Sequence, residues 1–137
     1  MEAVFQSFLA GLPVLLLHFV LTVLMLALGA VLYVMMTPYH EIDLIKAGNV
    51  AASISFGGVL IGMAIPLAVA MASSVNAYDI LIFGAVTIAL QLLAYRITDL
   101  VLNDLPKRII AGEISAAILL IAVKLSISVI NAAGVSG

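Results

Sequence analysis

The chain has 137 residues, 66% of them hydrophobic and 9% charged, with a mean hydropathy of +1.37 and a net charge of −2. That composition excludes an ordinary soluble domain, and the lack of any basic patch excludes a nucleic-acid partner. With no cysteine there is no disulfide framework, no thiolate metal site and no cysteine nucleophile.

Residues 1–11 read as an N-terminal segment ahead of the first span. Residues 12–36 carry no charge apart from a protonatable His18, and roughly 20 apolar residues are enough to cross a hydrocarbon core. Glu2 and the length of the run argue against a cleavable leader, so this first helix is predicted to be retained. His18 is expected to be a neutral hydrogen-bonding residue. The connection at 37–46 brings together Tyr39, His40, Glu41 and Asp43 and is predicted to be a solvated loop rather than a metal site.

A charge-free run over 47–78 supplies the second span. Asn49, Ser53, Gly57, Gly58 and Gly62 are predicted to form its packing face, because a Gly58-xxx-Gly62 spacing lets backbones approach closely. Pro66 removes its hydrogen bond to the Gly62 carbonyl, which predicts a bend there. After a short connection at 73–79 the third span, 80–102, sets Thr87, Gln91, Tyr95 and Thr98 at helical spacing, with Arg96 and Asp99 near its end.

The fourth span, 109–133, contains Glu113 and Lys124. A lone ammonium near the bilayer centre costs on the order of 3 kcal/mol, so Lys124 needs a partner, a wet cavity or a task. Glu113, Leu120, Lys124, Ser128 and Asn131 fall on one stripe of this helix. Glu113 and Lys124 are separated along it by roughly 16 Å, too far to pair. If the third and fourth spans pack antiparallel across the short connection at 103–108, Arg96 pairs with Glu113, and Thr87 and Thr22 come to the depth of Lys124. Lys124, Glu113, Gln91, Thr87, Arg96, Asp99 and Asn131 are thus the candidate intramembrane polar site. No nucleophile-base or metal constellation is visible, so neither an enzyme nor a bound cofactor is expected.

Lys46, Lys107 and Arg108 lie in the first and third connections, whereas the second connection and both termini carry no lysine or arginine. The positive-inside rule then places both termini outside the cytoplasm. At an offset of 64, residues 45–54 align with 109–118 with five of ten positions identical. This predicts two tandem, parallel helical hairpins, 12–72 and 80–137, joined at 73–79. Asn49 falls opposite Glu113 in that register, so the two halves are chemically unequal.

The four-span layout and the segments Ala47-Gly48-Asn49-Val50-Ala51-Ala52 and Ala111-Gly112-Glu113-Ile114-Ser115-Ala116 resemble domain of unknown function 350, the YjfL-like bacterial inner-membrane family. The resemblance implies an all-α protein of the cytoplasmic membrane and partners connected with envelope stress. It supplies no reaction and no functional residue. The expected function is a homo-oligomer whose fourth helix offers a polar site that binds or passes ions, protons or small polar solutes. An anion path follows if Lys124 faces a lumen. The alternative is a non-conducting scaffold or anchor for envelope-stress partner proteins. In a third reading, Lys107 and Arg108 contact anionic lipid headgroups.

Overall fold

Four long apolar runs have no hydrogen-bonding partner in lipid other than their own backbone, and each therefore closes into a helix. A computed structural model of the chain describes residues 1–136. Among these residues there are six helices: α1 (Glu2–Met36), α2 (Glu41–Lys46), α3 (Val50–Ser73), α4 (Ala77–Val101), α5 (Asp104–Ile110) and α6 (Ile114–Ser136). Four of them, α1, α3, α4 and α6, are long and apolar enough to cross a membrane. The protein is an all-α membrane protein, as its composition requires.

The boundaries differ from the sequence reading in four places. Residues 1–11 are continuous with the first span, because α1 starts at Glu2 and runs for 35 residues. At about 1.5 Å per residue it is longer than a single crossing needs. The connections at 37–46 and 103–108 hold the short helices α2 and α5. The apolar run at 109–133 is broken, with α5 ending at Ile110 and α6 beginning at Ile114.

That break is made by Gly112, which has φ +88°, and an equivalent break before α3 is made by Gly48, with φ +90°. Only glycine enters this left-handed region without a steric cost. The surrounding backbone bonds also correspond. Ala47, Gly48 and Asn49 donate to Asp43, Ile45 and Leu44, while Ala111, Gly112 and Glu113 donate to Lys107, Ile109 and Arg108. Each pair of positions is separated by the offset found in the sequence.

The most extensive contact in the bundle joins α3 and α6. Small residues make it: Ala51 and Ala52 on α3, and Ala116 and Ala117 on α6, are all buried. Farther along, Gly58 faces Ile121, and a Cβ at Gly62 would run into the Tyr95 hydroxyl and Ser128 Oγ. The predicted packing face needs correcting at two positions. Ser53 is exposed and bonds its own helix at Asn49 O, and a Cβ at Gly57 would meet nothing. Each helical residue turns the side chain by about 100°, so Ser55 and Gly58 point inward where Ser53 and Gly57 do not.

Asn49 is an anchor between helices. Its Oδ1 accepts from Ala52 N, capping α3, while its Nδ2 donates to the carbonyls of Ile109 and Ile110 at the end of α5. Leu105 and Ile109 of α5 are buried in the same cluster as the four alanines. Around the α3–α6 pair, α4 packs on α1, α3 and α6. A second cluster including Met25, Tyr33, Met63, Leu67, Ile88 and Tyr95 fills the space between them. Pro66 lies inside α3, which continues as one helix through it.

Candidate functional site

Lys124 is completely buried, and side chains of α1 and α4 surround its ammonium. Side chains of a helix lean toward its N-terminus, and the N-terminus of α6 is at the α5 end, so the lysine stem extends in that direction. Its Nζ lies 2.8 Å from Asp99 Oδ1 on α4. The pair has ion-pair separation, although the approach falls outside hydrogen-bond geometry. The ammonium also donates to the Tyr33 hydroxyl on α1 at 3.3 Å. The rings of Tyr33 and Tyr95 flank it with centroids 5.3 and 5.2 Å from Nζ, and they meet each other edge to face.

Tyr33 carries the network to a residue the sequence reading left in solvent. Its hydroxyl donates to Glu41 Oε1 at 2.9 Å, and Glu41 is wholly buried. The solvated-loop expectation for residues 39–43 is therefore corrected at this position. Folding of residues 41–46 into α2 turns Glu41 under the bundle while Asp43 stays exposed. No periodic signal could have separated these two carboxylates within so short a helix. Tyr39 Oη, Glu41 Oε2 and Ser55 Oγ are buried close by without partners in hydrogen-bond geometry. Burial pushes the Glu41 carboxyl above the ordinary carboxylate range, against the lowering effect of the Tyr33 bond and of Lys124. Burial, with Glu41 beside it, likewise raises Tyr39.

Loss of hydration explains that direction, and the neighbouring charges do not offset it. Lys124 and Asp99 cancel, so an ionised Glu41 would leave one negative charge uncompensated in a low-dielectric interior, at a cost of several kcal/mol.

On the other side of Lys124, Asn131 Nδ2 donates to Gln91 Oε1 at 2.9 Å, and Gln91 Nε2 donates to Ser128 Oγ at 2.7 Å. Ser128 then donates to the backbone carbonyl of Lys124, not to its ammonium. This ladder links α4 to α6 and opens at Asn131 and Thr87 into a pocket of about 630 Å³. Thr87 Oγ1 is buried without a partner. Of the predicted residues, then, Lys124 and Asp99 meet, and Gln91 and Asn131 meet one layer away.

Three predicted relationships are corrected. Glu113 precedes α6, is exposed, and pairs with Arg108 through both carboxylate oxygens. Arg108, five residues away across the Gly112 turn, reaches it first, so Arg96 does not. The bond to Arg108 lowers the Glu113 carboxyl and raises the guanidinium. Thr22 donates to His18 O within α1 instead of solvating Lys124. Thr87 borders the pocket at the other end of the ladder and does not face the ammonium. Matching Cα depths overlooked the lean of the lysine stem, which moves its charge away from both threonines. Arg96 is half-buried, and among the described residues no carboxylate lies within ion-pair distance of it.

Fold and site together define a small, four-span helical membrane protein with a buried lysine–aspartate pair. The chain belongs to the family described as Domain of Unknown Function (DUF350), which it matches over residues 7–135. It is 32% identical over 116 residues to the UPF0719 inner membrane protein YjfL of Escherichia coli (strain K12), covering 85% of this chain and 88% of that one. The protein of the same name from Escherichia coli O157:H7 matches to the same extent. No solved structure matches. This is a multi-pass inner-membrane protein.

Proposed function

We propose that the protein binds and exchanges a proton at a buried site formed by Glu41, Tyr33, Lys124 and Asp99. The observation that carries this reading is the burial of two carboxyl groups around one ammonium, with Tyr33 bridging Lys124 to Glu41. The groups facing Glu41 come from several elements: Tyr33 of α1, Tyr39 of the connection, Asp99 of α4 and Lys124 of α6, with Ser55 of α3 beside Tyr39. With Glu41 protonated the cluster is neutral. Loss of that proton leaves a buried anion on α2, which favours movement of α2 toward water. An anion path is the weaker form of the idea, since Asp99 already neutralises the ammonium.

The experiment is proton flux into vesicles containing the purified protein and a pH dye, driven by a membrane potential. Wild type should acidify the vesicles faster than protein-free controls, and Glu41→Gln should abolish the difference. Equal rates in wild type and empty vesicles would sink the proposal.

A second reading, a non-conducting scaffold for envelope-stress partners, is favoured by the complete burial of Lys124 and its pairing with Asp99. In that case the pair sets the register of α4 against α6.

The fold proposed for both readings is two tandem hairpins, α1 to α3 and α4 to α6, supported by the matching backbone bonds around Gly48 and Gly112. The basic residues at the α2 and α5 end support termini outside the cytoplasm. Assembly into a homo-oligomer is part of the leading proposal, and the apolar, exposed face of α1 bearing Leu16, Phe19, Val20 and Val23 offers a surface for it. Mass measurement of the protein in lipid nanodiscs tests that assembly. Lys124 is already wholly buried within one chain, against Asp99 and Tyr33, and the proposed proton site draws on no residue of a second copy.

A further inference from the structure

At the α5 end of the bundle a groove of about 270 Å³ opens between α4, α5 and the connection before α2. Arg96 and Lys107 line it, with Asn103 between them in the chain. Its one carboxylate, Asp99, is held 2.8 Å from Lys124. The other basic residue of α5, Arg108, is engaged by Glu113 and Asp104. Arg96 and Lys107 therefore present two cations without a protein counter-ion among the described residues.

Position identifies what balances them. Arg96 lies five residues before the end of α4, about 7 Å along the axis, which places it near the membrane boundary. On its own face of α4 the apolar residues toward the middle of the helix are Leu93 and Val86, both more than half exposed. The groove is thus cationic at its mouth and continuous with an apolar strip running into the bilayer. A soluble anion would use the cations and gain nothing from the strip. An anionic phospholipid would use both, with phosphate at Arg96 and Lys107 and an acyl chain along Leu93 and Val86.

We infer that this groove binds the phosphate headgroup of an anionic phospholipid at the α5 end of the membrane. The groove borders the proton site through Asp99 and Tyr39, but the inference does not rest on proton exchange there.

Native mass spectrometry of the full-length protein, with phosphatidylglycerol or phosphatidylethanolamine added, tests it. One phosphatidylglycerol should be retained in preference to phosphatidylethanolamine. Replacing both cations, R96Q with K107Q, should weaken its retention by about thirtyfold. Lys46→Gln, which removes a basic residue at the same end but outside the groove, should leave retention unchanged. Equal retention of the two lipids, or unchanged retention in the double variant, would overturn the inference. Competition on the wild-type protein needs no variant to fold: displacement of phosphatidylglycerol by millimolar inorganic phosphate would assign the groove to a soluble anion and overturn the lipid assignment, whereas resistance to phosphate supports it.

Discussion

Lys124 of α6 and Asp99 of α4 face each other at 2.8 Å in the interior, and among the described residues each is the other's sole oppositely charged partner. Removing one charge therefore exposes the other. Lys124→Met leaves a buried carboxylate, and Asp99→Asn a buried ammonium, each expected to cost about 3–5 kcal/mol. The double variant removes both charges and should recover most of that loss. Thermal unfolding in detergent of the two singles and the double measures the coupling. Additive losses would mean that the two groups do not act as a pair. The double variant is also the cleaner probe of function, because Lys124→Met alone perturbs stability and charge together.

Glu41 makes stability depend on pH in a definite direction. Burial raises its carboxyl above the ordinary value of 4.5, so the folded protein keeps this proton to higher pH than the unfolded chain. Its contribution is greatest below 4.5, falls as pH rises through the window up to the raised folded value, and is level beyond that. Glu113 runs the opposite way, its lowered carboxyl losing stabilisation on acidification, but the pair with Arg108 is exposed and its effect small. Glu41→Gln should flatten the decline of Tm above the ordinary carboxylate range. A decline as steep in the variant as in wild type would show that another group is responsible.

Gly48 and Gly112 both have positive φ, and an added Cβ would touch nothing at either position. Alanine there tests backbone conformation alone. Each substitution should destabilise by about 1–2 kcal/mol, seen as a lower Tm with unchanged helix content. Absence of a shift at both positions would mean that the left-handed turns are not required.

Gly62 is a packing requirement instead. A Cβ there lies 2.7 Å from Ser128 Oγ and collides with the Tyr95 hydroxyl, which donates to Val59 O. Gly62→Ala should cost about 1–3 kcal/mol, while Gly57→Ala, which points into open space, should cost nothing measurable. Equal effects at the two glycines would contradict the packing of α4 and α6 against α3.

Residues 12–36, 47–78, 80–102 and 109–133 determined the class of the protein and the number of its long helices without help from anything outside themselves. Crossing a membrane is a property of each run alone: its own length, its own apolar side chains and its own backbone bonds. The offset between Gly48 and Gly112 was legible for a related reason, since a turn that only glycine can make leaves a local mark. Lys124 was legible as an anomaly. What it paired with was not. Asp99 over Glu113, Arg108 over Arg96, and the burial of Glu41 beside an exposed Asp43 all depend on side-chain direction and on which helix lies across. Those are decided when four helices pack together, because a charge in a low-dielectric interior takes the partner that geometry brings within reach, whatever its distance along the chain.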